Sequence, residues 1–264
     1  MKKYAFILVL LITMISAQIV NAQNSVTITT NPSPATICVG SNIILTAVKS
    51  GGIVQSTGYV WNTGAIGSQI TLSSLPVGSH TYTVTTTFLS QTPTTVVTSV
   101  TVTVNPIPAP VITAGGSLNI CAGNSITLTS SLSTNCQWYL NGAILTGATS
   151  ATYTTTIAGS YSVAETVGGC SGESAGTVVT VNPLPDAGFT PNTLLDQCND
   201  GITPFVANLT GPNYTYQWYR SVNPINGGNP GVLVGTADTY IPIEGDYNYS
   251  LKITNTTTMC SSTW

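Results

Sequence analysis

The sequence of 264 residues has very little charge, and its charged residues are unevenly placed. Five residues are basic and eight are acidic, no carboxylate occurs between Gln23 and Ala164, and His80 is the only histidine. Catalysis needs a positioned base, acid, nucleophile or metal. Residues 23–164 therefore cannot supply the carboxylate pair that glycoside hydrolysis uses. The scarcity of lysine and arginine also argues against binding to nucleic acid or to an anionic membrane.

The sequence also lacks an apolar run long enough to cross a membrane. The one clear apolar run, Phe6 to Ile15, follows two lysines and precedes small residues that end at Ala22. This order is typical of a signal peptide, and the run is too short for a membrane span. We predict a signal peptide over residues 1–22 and an exported mature chain, extracellular or on the outer cell surface and without membrane insertion. Its net charge is −5, because three basic residues remain against eight acids.

Six cysteines are present, but no CxxC pair occurs among them. In an exported chain such cysteines indicate disulfides more than metal sites or catalytic thiols. We therefore predict no cofactor and no metal. The disulfide candidates are Cys38, Cys121, Cys136, Cys170, Cys198 and Cys260.

One stretch of the sequence occurs in two similar copies. ICVGSNIILTA at residues 37–47 returns as ICAGNSITLTS at residues 120–130, a period that suits one small β domain. A third, looser copy begins at Cys198. In each copy a cysteine turn precedes an alternating strand, a tryptophan and a glycine-led tyrosine strand. The predicted core markers are Trp61, Trp138, Trp218, Tyr82, Tyr161 and Tyr249.

These landmarks predict an all-β chain of tandem immunoglobulin-like β-sandwiches. Short β-branched strands lie between Gly, Asn and Pro turns, and no helical periodicity is present. A strand tryptophan fills the centre of such a sandwich, and a tyrosine two residues before a core position resembles a tyrosine corner. The copies end in Asn-Pro linkers, TVTVNPIP (101–108) and VVTVNPLP (178–185). We predict domains over residues 23–106, 107–184 and 185–264.

The third domain is expected to lack its final strand. In the second copy eleven residues separate Cys170 from Val181, the last core position, whereas only Ser261–Trp264 follow Cys260. Two explanations stay open: the sequence is a fragment of a longer protein, or this domain borrows a strand from elsewhere. An open sheet edge beside an unfilled groove is unstable and sticky, which favours the fragment.

The motifs ICxGxxIxLT, QWYxNG, GxYSV and VTVNPxP occur in this order. In them the chain resembles the tandem immunoglobulin-like and PKD-like repeats of Bacteroidota surface proteins, such as gliding-type adhesins and other cargo of the type IX secretion system. The resemblance covers essentially the whole mature chain. It implies adhesion, stalk or display functions with other domains of the same parent chain as partners, and it implies no catalytic residues.

The cysteine pairing is left open by the predicted topology. Cys121 lies seven residues before Leu128 and Cys170 lies seven after Val163, on strands that run in the same direction. The two cysteines should therefore sit at opposite poles of one domain, too far apart for a bond.

Two other arrangements remain. If successive domains meet head to tail, Cys38 pairs with Cys170 and Cys121 pairs with Cys260. Alternatively, Cys136 pairs with Cys170 within the second domain. In the head-to-tail scheme, the cysteine of the third copy awaits a fourth domain.

Two further features could carry a ligand. The third copy holds most of the acids, which could bind Ca²⁺, although solvated turn residues explain them more simply. Tyr139 and Tyr219 follow strand tryptophans and should point outward, where they could contact glycans.

We expect a non-catalytic extracellular repeat region of a bacterial surface adhesin or stalk, which spaces and presents binding domains. The alternative is a set of spacer or carbohydrate-binding modules of a secreted hydrolase, with its catalytic domain beyond Trp264.

Overall fold

The computed structural model describes residues 24–89, 93–191, 203–222, 231–243, 245 and 247–264. All regular elements in these ranges are β-strands, and the ranges contain no helix that is long and apolar enough to cross a membrane. The predicted all-β fold is confirmed. The chain divides into two compact units: one holds residues 24–108 with Thr166–Ser171, and the other holds Ala109–Glu165 with Gly172–Trp264.

The first sandwich follows from alternating apolar residues. In IILTAVKS every second residue from Ile43 to Ala47 is buried. One sheet has the order β1-β3-β5, and the other has the order β2-β7-β6-β4, in which only β2 and β7 are parallel. The strands are β1 (Ser25–Asn31), β2 (Thr36–Cys38), β3 (Ile43–Ser50), β4 (Ile53–Trp61), β5 (Gln69–Leu72), β6 (Gly78–Leu89) and β7 (Thr94–Asn105).

The second sandwich repeats this plan. Its strands are β8 (Ile112–Ala114), β9 (Asn119–Cys121), β10 (Ile126–Ser130), β11 (Cys136–Leu140), β12 (Ala143–Ile144), β13 (Thr152–Thr155), β14 (Gly159–Val167), β15 (Cys170–Glu173) and β16 (Thr177–Asn182). The sheet orders are β13-β10-β8 and β12-β11-β14-β16-β9, with β15 also paired to β14. Strand β9 is parallel to β16. The first edge strand is thus split between the two sheets, as in immunoglobulin-like sandwiches.

The third sandwich has the sheets β17-β18-β21 and β20-β19-β22-β23. Its strands are β17 (Phe189–Thr190), β18 (Phe205–Ala207), β19 (Tyr214–Ser221), β20 (Val232–Gly235), β21 (Thr239–Tyr240), β22 (Asn248–Asn255) and β23 (Ser261–Thr263). Strand β23 follows Cys260 and occupies the place of β15. Strand β16 has no counterpart among the described residues of this sandwich.

The predicted tryptophans lie at the centre of their sandwiches. Trp61, Trp138 and Trp218 are at most 1% exposed. Each ring N–H donates to a backbone carbonyl at 2.9 Å, the acceptors being Gly67, Ser150 and Ala237. A buried indole must satisfy its one donor. The indole hydrogen bond is thus repeated in all three copies, together with the burial of the ring.

The tyrosines lie on the strands that pair with the tryptophan strands in the same sheet. The Tyr161 hydroxyl donates to the Ile157 carbonyl at 2.9 Å, and the Tyr249 hydroxyl lies 3.4 Å from the Ile243 carbonyl. A hydroxyl that bonds back to the backbone a few residues upstream is the geometry of a tyrosine corner. Tyr82 is 9% exposed in the core of the first sandwich.

Adjacent residues of β10 give a matched test of core packing. Leu128 is fully buried, whereas Thr129 points to solvent. We expect Leu128→Ala to lower the free energy of unfolding by about 2–5 kcal/mol, and Thr129→Ala by less than about 1 kcal/mol. Urea unfolding followed by tryptophan fluorescence measures both changes. Equal losses in the two variants would contradict the assigned inner face.

Candidate functional site

The cysteines Cys38 and Cys121 occupy equivalent places, each at the end of a parallel edge strand. Cys38 pairs with Asn105 across β2 and β7, and Cys121 pairs with Asn182 across β9 and β16. The residue after each cysteine donates its N–H to the asparagine carbonyl, at 2.9 and 2.8 Å. The asparagine of each Asn-Pro linker therefore holds the cysteine turn in place.

A glycine completes each of these turns. Gly40 and Gly123 have φ angles of 85° and 88°. Only glycine adopts this region readily, which explains the CxG spacing at Cys38–Gly40 and Cys121–Gly123. The turn carries the chain from the outer strand into β3 or β10 and leaves the cysteine at the end of its sandwich.

The other two cysteines lie at hairpins between the last strands of a sandwich. Cys170 follows Gly168 and Gly169, whose φ angles of 59° and 83° match a two-residue type I′ turn. Gly168 has a second constraint, because its carbonyl accepts a hydrogen bond from Asn105 Nδ2 at 2.7 Å. A Cβ at Gly168 would lie 2.5 Å from that nitrogen.

Cys260 ends a longer, five-residue loop between β22 and β23. The side-chain oxygen of Asn255 accepts hydrogen bonds from the N–H groups of Thr257 and Thr258, at 2.9 and 3.0 Å. Met259 then adopts a φ of 61° and donates its N–H to the Asn255 carbonyl. Asn255 thereby fixes the whole loop and the direction of the cysteine that follows it.

Two disulfides join these places. The first, Cys38–Cys170, has a Cα–Cα distance of 5.6 Å, and the second, Cys121–Cys260, one of 5.5 Å. We call them the first and second staple. They are the head-to-tail pairings that the sequence analysis set against the intradomain ones. Each connects a cysteine turn of one copy to the last hairpin of the next copy.

Cys136 is a correction to the disulfide candidates, since it is a free, buried thiol. It begins β11 and pairs with Glu165 on β14, so its side chain points into the core of the second sandwich. Cys170 lies beyond the end of β14 and is already bonded to Cys38. Cys198 lies outside the described residues.

Around Cys136 the core of the second sandwich is polar. Glu165 is fully buried, and its Oε1 accepts a hydrogen bond from Ser130 Oγ at 2.5 Å and lies 3.2 Å from Cys136 Sγ. Its Oε2 has no hydrogen-bond partner among the described residues. We call Ser130, Cys136 and Glu165 the buried polar cluster. In the third sandwich the strand pair at this position is Tyr216 with Ile253.

The buried polar cluster changes the acidity of its thiol. Burial, then the hydrogen bond to Glu165 and the charge of that residue, raise the pKa of Cys136 from 9.0 to about 11. A thiol of such high pKa is a poor nucleophile at neutral pH, because the thiolate is the reactive form. The raised pKa therefore disfavours exchange of the Cys136 thiol with the two staples.

The other residues singled out from the sequence lie apart from one another. His80 donates from Nε2 to the Pro76 carbonyl at 2.7 Å, which is a local turn contact. Tyr139 and Tyr219 are half-buried on the outer faces of β11 and β19, and among the described residues neither has a ring partner. Asp186 accepts the N–H of Gly188 in its own turn.

The residues that the structure describes contain no group of three metal-ligating side chains. Four of the acids considered for Ca²⁺ lie outside them: Asp196, Asp200, Glu244 and Asp246. A cleft of about 1230 Å³ in the second compact unit is lined by glycines and by neutral side chains such as Asn119, Asn124 and Thr257. Its only titratable lining residue is Cys121, which is bonded in the second staple.

Neither a protein-family model nor a curated protein matches this chain. Among solved structures, murine CEACAM1b is 14% identical over 61% of this chain and 100% of its own, with a TM-score of 0.37. The fibronectin(III)-like modules of Clostridium thermocellum CbhA are 14% identical over 60% and 95%, with a TM-score of 0.31. The N-terminal eight Ig domains of DSCAM isoform 1.30.30 are 14% identical over 87% of this chain and 34% of that one, with a TM-score of 0.42.

The raised pKa of Cys136 makes stability depend on pH. In the unfolded chain the thiol ionises near 9.0, and in the folded chain near 11. Its contribution to stability is therefore complete below pH 9 and is lost as the pH rises to 11. Relative to Cys136→Val, we expect the wild type to lose up to about 2–3 kcal/mol of unfolding free energy over this range. Urea unfolding at stepped pH measures it, and parallel curves for the two proteins would contradict it.

The comparison with Cys136→Val is needed because tyrosines ionise in the same pH range. Burial also raises the pKa values of Tyr216 and Tyr249 in the third sandwich. Both tyrosines are unchanged in the variant, so their effect cancels in the difference.

Proposed function

We propose that this chain is a non-catalytic, exported repeat region of a bacterial surface adhesin or stalk, which spaces and presents other domains of its parent protein. The observation that carries the proposal is the pair of staples. They link three consecutive sandwiches at equivalent places, outside the core of each sandwich. Such links add nothing to a catalytic site, but they fix one repeat to the next.

The energetics of the staples support a structural role. They close loops with sequence separations of 132 and 139 residues. In the chain-entropy model a loop of this length lowers the entropy of the unfolded state by an amount worth about 5 kcal/mol at 25 °C. The loops overlap, so the two contributions are not additive. Either contribution is nevertheless comparable with the whole stability of a small domain.

The two disulfides also support an oxidising compartment outside the cytosol. Disulfides persist in oxidising environments and are rare in the cytosol. This agrees with the signal peptide predicted over residues 1–22 and supports export. The repeat motifs supply the further proposal of a Bacteroidota surface protein exported through the type IX route.

The chemistry of the described residues also fits a region without turnover. His80 is engaged by a backbone carbonyl, and Glu165 is buried away from solvent. The cleft described above is lined by neutral side chains and has no acid or base. In the proposed role a module has to be stable, soluble and fixed to its neighbours. A surface of Thr, Ser, Asn and Gly provides the solubility with little charge.

A second candidate function is glycan binding by the modules themselves. Tyr139 and Tyr219 occupy the same place, directly after the strand tryptophan, in two successive sandwiches, and both are partly open to solvent. Aromatic faces suit sugar rings because both bury apolar area and keep polar edges wet. Such modules could belong to a stalk or to a secreted hydrolase.

The protein recovered from the surface of its own cells tests the first proposal. We expect an N-terminus at Gln23, and non-reducing peptide maps that contain Cys38–Cys170 and Cys121–Cys260. Retention of residues 1–22 would contradict export by this signal. A map with Cys121–Cys170 and Cys198–Cys260 would contradict the link between repeats.

Glycan arrays test the second candidate. If the modules bind sugars, Tyr139→Ala or Tyr219→Ala should lower binding at least tenfold. Tyr59→Ala is not a suitable control because its ring packs against the first core. Thr129→Ala is suitable because it removes an exposed side chain from another sheet. Binding that survives in the double tyrosine variant would show that these rings are not the contact.

A further inference from the structure

The two staples interleave along the sequence. The order of the bonded cysteines is Cys38, Cys121, Cys170 and Cys260, and the bonds join the first to the third and the second to the fourth. The two closed loops therefore share residues 121–170. Side-by-side bonds would leave each loop independent, and of two nested bonds only the outer one would be loaded. Interleaved bonds make the mechanical response of one loop depend on the other.

The interleaving sets the route of a stretching force. A force on the two ends of the chain enters the bonded region at Cys38 and leaves it at Cys260. The shortest covalent route crosses the first staple to Cys170, runs backwards along the chain to Cys121, and crosses the second staple to Cys260. It contains about 49 residues of backbone, and a trans backbone extends at most about 3.3–3.6 Å per residue.

Every other route is longer. The route through the first sandwich, from Cys38 to Cys121 and over the second staple, contains about 83 residues. The route over the first staple and through the third sandwich, from Cys170 to Cys260, contains about 90 residues. When the shortest route is taut, both of these are still slack.

We infer that the interleaved staples make this chain an extension-limited tether, in which residues 121–170 carry the load. Residues 39–120 and 171–259 cannot be drawn out straight while both bonds are intact. The inference concerns the response to force, and it goes beyond a spacing role because a spacer of independent modules has no such limit.

We call residues 121–170 the load segment. It contains most of the core of the second sandwich. It includes β10, β11, β13 and β14, with Leu128, Trp138 and Val163 fully buried. Unfolding of this one sandwich therefore releases the available length, and the taut backbone then stops further extension. The limit is roughly 160–180 Å between Cys38 and Cys260, against roughly 730–800 Å for a chain without staples.

Cys136 lies inside the load segment and reports on it. Its thiol is buried in the folded sandwich, and it has no disulfide partner. It should be exposed to solvent when residues 121–170 are extended. The structure thus contains its own chemical marker for the state in which the tether is stretched.

Single-molecule force spectroscopy tests the inference on the mature chain, with handles attached enzymatically at both ends so that no thiol is added. The oxidised protein should extend by a length that leaves about 49 residues between Cys38 and Cys260. Removal of the first staple by Cys38→Ser with Cys170→Ser should raise this to about 83 residues, and removal of the second by Cys121→Ser with Cys260→Ser to about 90. Full reduction should raise it to about 222 residues.

Two results would overturn the inference. A final length of about 111 residues in the oxidised protein would match the bonds Cys121–Cys170 and Cys198–Cys260, which do not interleave. A length of about 222 residues before reduction would show that no staple limits the chain. These lengths are read from the fully extended protein, so the variants remain informative even when a sandwich is destabilised.

Maleimide labelling at constant force assigns the load segment independently. We expect Cys136 to be labelled after the extension step and not before it, with both staples intact, as located by peptide mapping. Labelling of Cys136 without extension, or extension without labelling, would overturn the assignment of residues 121–170. Denaturant in place of force is the positive control for accessibility of the thiol.

Discussion

Burial of one indole between two sheets is the interaction on which each of these sandwiches depends. Trp138 fills the space between β10 and β14, is fully buried, and donates its ring N–H to Ser150. A side chain of this size can bury 150–250 Å², which matters in a chain in which only 5% of the residues are charged. The strands around it alternate apolar and polar residues, so the core forms on one face and a neutral polar surface on the other. The staples act on sandwiches that are already packed.

The fold and the staples could be predicted from particular residues. Ile43, Leu45 and Ala47 alternate with polar residues and give the inner face of β3 directly. For the staples, the distance argument spoke against a Cys121–Cys170 bond, but it left the head-to-tail pairings open beside Cys136–Cys170. The head-to-tail scheme came from the repeat, because it sets the cysteine turn of one copy against the last hairpin of the next.

The buried polar cluster could not be recognised from the sequence. Glu165 follows Tyr161 and Val163 at every second residue of β14, and this alternation was a signal that its side chain points inward. A carboxylate at the end of a strand is ordinarily solvated, however, because burial of a charge is costly. Only the position of Ser130 at the end of β10 and Cys136 at the start of β11 makes the inward orientation evident. Cys136 was named as a disulfide candidate because the sequence does not show that Ser130 and Glu165 surround its thiol.

The staples use two sequence features that lie outside the core: a CxG turn at one end of a module and a hairpin cysteine, such as the one after Gly169, at the other. A module with both features carries a turn cysteine at one end and a hairpin cysteine at the other. Each of these cysteines can form a disulfide only with the other kind in a neighbouring module. Duplication of such a module inside a gene therefore creates a new junction that is complete from the start, in the same orientation as the old ones. Arrays of this kind can change in number of copies by recombination without any new compensating mutation, and their direction along the chain is preserved.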